Sequence, residues 1–235
     1  MKHITALETT INNTQAHLLA QRHTRGYWEG RLSGSALSTA TAVFALACVD
    51  HAAYRQFIDR GLGWLQDHQN ADGGWGDSIK SESNLSTTLL CYGALSVGNH
   101  NQTVTRAEQW IKTHFGTLEP DALAHCVSQA YGKDRSFSVP ILTLCALAGR
   151  LGPSDRAWQR IRPLPFEVAV LPQRLFKWLQ LPVVSYALPA LIAIGQVGFH
   201  HRRPKCPVKR WIREQCISPT LKRLARLQPQ NGGFL

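Results

Sequence analysis

Apolar side chains recur along most of the chain at steps of three and four residues, which is the spacing of an amphipathic helix. In residues 52–69 this spacing predicts a helix whose buried stripe consists of Tyr54, Phe57, Ile58, Leu62 and Leu65. In residues 83–98 it predicts a second helix, with Ser83 as the N-cap and with buried positions at Leu85, Leu89, Tyr92 and Leu95. Between them, Gly73 and Gly74 permit the backbone to reverse direction. The pattern therefore predicts a helix, a glycine turn and a second helix.

The same unit occurs earlier in the chain and recurs in part later. Residues 26–50 align with residues 73–98, so that Trp28 precedes Trp75 by 47 residues. Partial copies follow in residues 106–116, which resemble the first helix of the unit, and in residues 138–152, which resemble the second. A two-helix unit with a period of about 40 to 50 residues buries its apolar face only by stacking on its neighbours. We therefore expect an all-α fold, either a solenoid or a closed α/α barrel.

Residues 60–75 contain a motif with several constrained positions. Its members are Arg60, Gly61, Trp64, Leu65, Gln69, Gly73 and Trp75. The end of the motif recurs as Gln228, Gly232 and Phe234, and residues 21–28 carry it with one extra residue. We expect Gln69 to bond backbone groups that lack partners at the start of the next helix, and the Trp75 ring to cover that amide. Trp64 and Trp75 are interpreted as structural residues rather than as a ligand cage.

This motif resembles the QW motif of triterpene cyclases, and the chain resembles the squalene–hopene cyclase family of class II terpene cyclases. Two further stretches carry the resemblance, GYWEGRL at residues 26–32 and LPFEVAVLPQRLF at residues 164–176. The resemblance implies an α/α barrel, or toroid, of QW repeats that is inserted after the first helix of a larger barrel. It assigns residues 1–26 to that first helix, residues 27–203 to the inserted barrel and residues 204–235 to the return into the larger barrel. The second barrel is then incomplete.

The resemblance also implies a chemistry, the proton-initiated polycyclisation of squalene or a similar linear isoprenoid in triterpenoid and hopanoid biosynthesis. This is an isomerase reaction, an intramolecular transfer, and it needs no cofactor. In the family an Asp-x-Asp-Asp acid in the larger barrel starts it, whereas here no two aspartates lie closer than five residues. We therefore assign no catalytic residue and expect the chain alone to be inactive, as a fragment, a truncated product or half of a split enzyme. The alternative is a non-catalytic repeat scaffold that binds a polyisoprenoid or a protein partner.

Other candidate sites are few. Cys91, Cys126 and His125 provide the residue types of a zinc prenyltransferase site, but they lack ligand-like spacing, so no metal is predicted. The resemblance makes Tyr186 the candidate substrate-cavity residue, and the alternative is a half-buried core tyrosine. Six cysteines without a Cys-x-x-Cys pair fit a reducing, cytoplasmic location.

The chain is basic, with 26 Lys and Arg against 15 Asp and Glu, which favours an anionic partner or membrane surface. Residues 181–199 are the most apolar segment, and a core helix, a peripheral patch and a membrane span are all considered for it. The basic residues that flank it are Arg174, Lys177, Arg202, Arg203 and Lys205. The resemblance implies peripheral, monotopic attachment to the inner face of the membrane, with a linear isoprenoid and the missing carboxy-terminal half as partners. Nucleic acid is not expected, because no aromatic stacking platform accompanies the basic residues.

Overall fold

The computed structural model describes residues 2–30, 33–132, 135–171 and 187–228 of the 235-residue chain. These residues form helices joined by turns, and no strand occurs among them. The predicted all-α class is thereby confirmed. The chain divides into two compact units, Met1–Gly34 and Ser35–Leu235.

In the first unit, the described residues form a helix followed by a turn. Helix α1 spans Lys2–Ala20, and the chain after it folds back so that the Trp28 indole N–H donates to the Leu18 carbonyl oxygen, 2.7 Å away. The guanidinium of Arg22 lies over the Trp28 ring, 5.3 Å from its centroid. Residues 21–28, the partial copy of the motif, therefore form a turn that is attached to the end of α1.

The second unit holds nine helices within the described residues. They are α2 (Ala36–Asp50), α3 (Arg55–Asp67), α4 (Leu85–Ala94), α5 (Asn101–Phe115), α6 (Pro120–Tyr131), α7 (Arg135–Leu147), the short α8 (Ser154–Ala157), α9 (Ala187–His201) and α10 (Pro207–Leu227). Two 3-10 turns, Leu95–Val97 and Phe166–Val170, complete the described elements.

These helices pack in two layers. In the inner layer α2 packs on α4, α4 on α7 and α7 on α9, while on the outside α3 packs on α2, α5 on α4 and α6 on α7. Each inner helix thus alternates with an outer one along the chain, which confirms the predicted helix–turn–helix repeat. The 3-10 turn Phe166–Val170 packs against α9 and α10. The assignment of residues 1–26, 27–203 and 204–235 to two barrels stays a prediction.

The first helix of the predicted unit has a narrower buried face than expected. Ile58, Leu62 and Leu65 are buried, but Tyr54 and Phe57 are 37% and 60% exposed, so their predicted burial is wrong. Tyr54 precedes the first residue of α3. Phe57 lies one position, about 100° of helix rotation, away from the line of Ile58 and Leu62.

The second helix of the unit begins with a different cap from the one predicted. Asn84 is the N-cap of α4, and its side-chain oxygen accepts from the Thr87 N–H at 2.9 Å. Ser83, the predicted cap, instead donates its hydroxyl to the Asp72 carboxylate at 2.7 Å. The four predicted buried positions of this helix, from Leu85 to Leu95, are all buried.

The two partial copies of the unit coincide with helices. Residues 106–116 lie in α5 and its C-cap, and residues 138–147 of the second copy lie in α7, which ends at Leu147. Of the apolar segment 181–199, residues 181–186 lie outside the described residues, and the remainder lies in α9, where Leu188, Ile192 and Phe199 are buried. Within the described part of the chain, none of the helices has the length and apolar character needed to cross a membrane.

Candidate functional site

Trp75 joins the glycine turn to the helix before it. Its indole N–H donates to the Leu65 carbonyl oxygen at 2.9 Å, and the side chain is 1% exposed. Leu65 lies in the last turn of α3, where the backbone carbonyl groups have no N–H donor within the helix. The backbone of Trp75 is held as well, because its N–H donates to the Thr88 hydroxyl at 3.1 Å. Trp75 therefore connects α3 to α4 across the turn.

Gln69 joins the same turn to the next outer helix. Its side-chain amide donates to the Gly73 carbonyl at 2.8 Å and to the Thr103 carbonyl at 3.0 Å. Thr103 belongs to the first turn of α5. The helix that directly follows the turn, α4, receives its cap from Asn84 instead. The expectation that Gln69 serves the start of the next helix thus points to the wrong helix, since both α4 and α5 contact the turn and the Gln69 amide faces α5.

Two residues of α5 that the sequence motif does not include also hold this turn, which we call the QW turn (residues 69–75). Arg106 of α5 donates to the Asn70 and Ala71 carbonyls at 2.9 and 3.1 Å. Trp110 of α5 donates its indole N–H to the Asp72 carboxylate at 3.0 Å. A signal for this contact exists in the sequence, since Arg-x-x-x-Trp occurs in both α3 and α5. Only the packing of α5 on the turn decides which groups the arginine and tryptophan of this pattern bind.

Asp72 is the charged centre of the QW turn. Burial alone raises the pKa of this carboxyl, but donation from the Gly74 N–H, the Ser83 hydroxyl and the Trp110 indole outweighs burial, and the pKa is lowered. The Gly74 and Ser83 bonds are 3.0 and 2.7 Å long. Asp72 is therefore an ionised acceptor at neutral pH and is unsuited to donate a proton to a substrate.

The remaining predicted motif residues have different surroundings. Arg60 and Gln228 are exposed, and Trp64 is half-buried against the core and stacks on His68 with ring centroids 4.0 Å apart. Gly232 and Phe234, together with the cavity candidate Tyr186, lie outside the described residues.

A groove of about 730 Å³ lies among the inner helices and the end of α6. Its apolar lining consists of Leu37, Leu85, Leu90, Ala130, Phe137, Pro140, Ile141 and Leu144, and its polar lining of Thr41, Asp77, Asn84, Ser86 and Tyr131. We call it the inner groove. Its volume falls in the range of clefts that bind small molecules.

Four of the polar residues bond one another in pairs. The Asp77 carboxylate accepts from the Asn84 amide at 2.8 Å, and the same oxygen accepts from the Thr87 hydroxyl at 2.8 Å. The hydroxyls of Ser86 and Tyr131 share a hydrogen bond. We call Asp77, Asn84, Ser86 and Tyr131 the polar mouth of the groove.

The described lining contains few groups able to do chemistry. Asp77 is its one carboxylate, and it includes no Lys, Arg, His or Cys. Two cysteines lie in the core instead, where burial raises the pKa of Cys91 well above its ordinary value and that of Cys145 to about 12. Among the described residues, no three His, Cys, Asp or Glu side chains converge in a way that would hold a metal ion. The arrangement is suited to binding an apolar molecule.

Comparison with known families gives one match. Residues 11–125 match the model of the squalene-hopene cyclase N-terminal domain, a range that contains the whole QW turn and helices α2 to α5. No solved structure matches the chain.

Proposed function

Residues 11–125 belong to the squalene-hopene cyclase N-terminal domain family, and from this membership we propose that the chain is the amino-terminal portion of a triterpene cyclase. In this role it provides a wall of the cavity in which squalene or a similar linear isoprenoid is folded. The observation that carries the proposal is the inner groove, because an apolar cleft of about 730 Å³ lies within the helical repeat of this family. An apolar surface excludes water from a carbocation and holds a hydrocarbon chain without specific polar contacts.

The chain alone is inactive in this proposal. Proton-initiated cyclisation requires a carboxylic acid that is protonated in the resting enzyme. The carboxyls of Asp121 and Asp72 are of the opposite kind: hydrogen bonding from Arg160 lowers the pKa of Asp121, and three donors lower that of Asp72. The Asp121 carboxylate receives two guanidinium bonds, 2.6 and 2.8 Å long. These carboxylates stabilise the fold and do not supply protons.

The test is an incubation of the purified chain with squalene, followed by extraction and gas chromatography with mass spectrometric detection. We expect only unreacted squalene. A parallel reaction contains a polypeptide that supplies the acid-bearing barrel of a squalene–hopene-type cyclase, and here we expect a cyclic triterpene. A cyclic product from the chain alone would overturn the proposal that the chain alone is inactive. No product from the combined reaction would favour the alternative function, a non-catalytic scaffold that binds a polyisoprenoid or a protein partner.

Peripheral attachment to the cytoplasmic membrane surface forms part of the same proposal, and a surface at the start of α10 supports it. Val208, Trp211 and Ile212 are 64%, 61% and 43% exposed, and their spacing puts them on one side of the helix. Lys209 and Arg210, on the same turns, are also exposed. Exposed apolar and aromatic side chains beside basic ones are the pattern of a helix that lies in the interface of an anionic membrane.

Co-sedimentation with vesicles tests the attachment. The wild-type chain is expected to bind vesicles that contain phosphatidylglycerol and to bind pure phosphatidylcholine less. Reversing two charges in the variant Lys209→Glu/Arg210→Glu is expected to weaken binding to the anionic vesicles by at least about tenfold, since each basic residue near such a surface contributes ~1 kcal/mol. Lys80→Glu/Lys112→Glu is the matched control, because it reverses two exposed basic charges that lie outside α10. Unchanged binding of the double variant would overturn this surface as the attachment site.

A further inference from the structure

The inner groove is polar at one end of α4 and apolar further along. Asn84 caps α4 and Ser86 lies in its first turn, while Leu90 is four residues beyond Ser86, about 6 Å along the helix axis. Tyr131 of α6 meets Ser86 by a hydrogen bond between their hydroxyls. A molecule in the groove therefore has its apolar body against Leu90 and its end at the polar mouth.

The polar mouth has hydrogen-bonding capacity left over. The hydrogen bonds that Asp77 accepts from Asn84 and Thr87 use one carboxylate oxygen, Oδ1, and the other accepts no hydrogen bond from the described residues. Ser86 and Tyr131 have two hydroxyl protons and use one of them in their shared bond. The mouth thus offers an acceptor at Asp77 and a donor at the hydroxyl pair.

Three kinds of isoprenoid end group fit this mouth differently. A diphosphate would lie beside the Asp77 carboxylate, and the described lining residues include no cation. The negative charges of the diphosphate and the carboxylate therefore repel each other. A hydrocarbon end displaces water from the polar groups without replacing their hydrogen bonds, which costs free energy. A neutral hydroxyl group donates to the carboxylate and accepts from the hydroxyl pair, so it satisfies both sides.

We propose that the inner groove binds a neutral isoprenoid alcohol, with its hydroxyl group at the polar mouth and its hydrocarbon chain along Leu90 and Ile141. The inference rests on the proposed function, since it takes isoprenoid binding as given, and it narrows the linear isoprenoid of that proposal to one that ends in a hydroxyl group rather than a hydrocarbon such as squalene. Asp77 and Tyr131 are the residues that determine the preference.

Equilibrium dialysis with three radiolabelled C15 probes tests the preference on the full chain. Farnesol, farnesene and farnesyl diphosphate share a hydrocarbon chain and differ in the end group. We expect farnesol to bind about tenfold more tightly than farnesene, and the diphosphate to bind more weakly than farnesol. Tyr131→Phe is expected to weaken farnesol binding about five-fold and to leave farnesene binding unchanged.

Tyr54→Phe is the matched control, because it removes a tyrosine hydroxyl that does not line the groove. Circular dichroism verifies that each variant is folded. Equal affinities for farnesol and farnesene would overturn the inferred end group and leave isoprenoid binding intact. Tightest binding of the diphosphate would overturn the neutral ligand, and failure of the folded chain to bind any of the three probes would overturn the groove as an isoprenoid site and with it the proposed function.

Discussion

Trp75 and Trp28 donate the same hydrogen bond in two repeats, each to a carbonyl ten residues earlier. The acceptors, Leu65 and Leu18, are each third from the end of their helix. The indole therefore completes a helix C-terminus in both places. The two tryptophans differ in burial, since Trp75 is 1% exposed and Trp28 is 46% exposed within the chain.

The difference in burial leads to a prediction for the pair of variants Trp75→Phe and Trp28→Phe. Each loses one indole hydrogen bond, worth about 1 kcal/mol. Trp75→Phe also leaves a void in the core, so we expect a total loss of about 2 to 4 kcal/mol in the free energy of unfolding. Urea unfolding of both variants provides the comparison. Similar losses for the two variants would contradict the role of burial.

Asp72 gives a prediction about pH. Its folded pKa is lowered from the ordinary value of 3.8, so its contribution to stability is present above that value and is lost as pH falls through the lower, folded pKa. Asp72→Asn replaces the carboxylate that accepts from the Trp110 indole N–H with a neutral amide, and it is expected to cost about 1 kcal/mol at pH 7. This difference from wild type should vanish in acid.

Thermal unfolding from pH 7 down to pH 3 measures this dependence. Asp67→Asn, a change at an exposed carboxylate at the end of α3, is the control and should shift the melting temperature little at any pH. A difference for Asp72→Asn that grows toward low pH would contradict the assigned direction.

At the scale of elements, the QW turn connects consecutive repeats. Helix α3 supplies the Leu65 carbonyl, the turn itself supplies Gln69, and α5 supplies Arg106 and Trp110. Close approach of α5 is possible because residue 73 is a glycine. Its φ is +95°, and a Cβ there would lie 2.6 Å from the Arg106 carbonyl oxygen.

Gly73→Ala tests this close approach. The variant adds backbone strain in the left-handed region to a clash with the backbone of α5, and we expect a loss of about 2 to 3 kcal/mol. Gly116→Ala is the matched control, because Gly116 has φ +74° but nothing within 4 Å of the added atom. The Gly116→Ala variant should lose only the free energy of placing an alanine in the left-handed region, about 1 kcal/mol. Chemical denaturation measures both, and equal losses would show that α5 does not restrict residue 73.

At the scale of the whole chain, one apolar core connects the layers of the second unit. It extends from α2 to residue 161 and includes Trp75, Trp110 and Trp158. Cys91 and Cys145 are fully buried within it. The Cys91 thiol lies against a backbone carbonyl of α2, and the Cys145 thiol lies against a backbone carbonyl of α4. Cys48 and Cys206 are exposed.

The core predicts which thiols react with Ellman's reagent. The thiolate is the reactive form, and burial both raises the pKa of Cys91 and Cys145 and blocks access to them. We expect Cys206 to react within minutes in the native chain, Cys48 to react more slowly because partial burial raises its pKa, and the two fully buried thiols to react only after unfolding in guanidinium. Peptide mapping of the modified cysteines identifies the sites. Rapid modification of Cys145 in the native chain would contradict the packing of α4 on α7.

The groove depends on the same layers, because its lining comes from residues as far apart as Leu37 and Leu144. No short motif marks it, and residues such as Ser86 and Tyr131 have no distinguishing neighbours in the sequence. Both lie on helices whose facing surfaces are set only when α4, α6 and α7 pack together. The cavity candidate predicted from the sequence is Tyr186, which lies outside the described residues.

By itself the sequence determined the helical class, the glycine turn, the repeat and the family, because helix periodicity and turn residues act over a few neighbouring positions. Tertiary structure decided which of the apolar residues in α3 are buried, which helix Gln69 reaches, and how Asp72, Arg106 and Trp110 meet. These outcomes depend on contacts between residues 34 to 38 positions apart. Such contacts form only when whole helices pack, and local spacing holds no information about the neighbour that each helix face will meet.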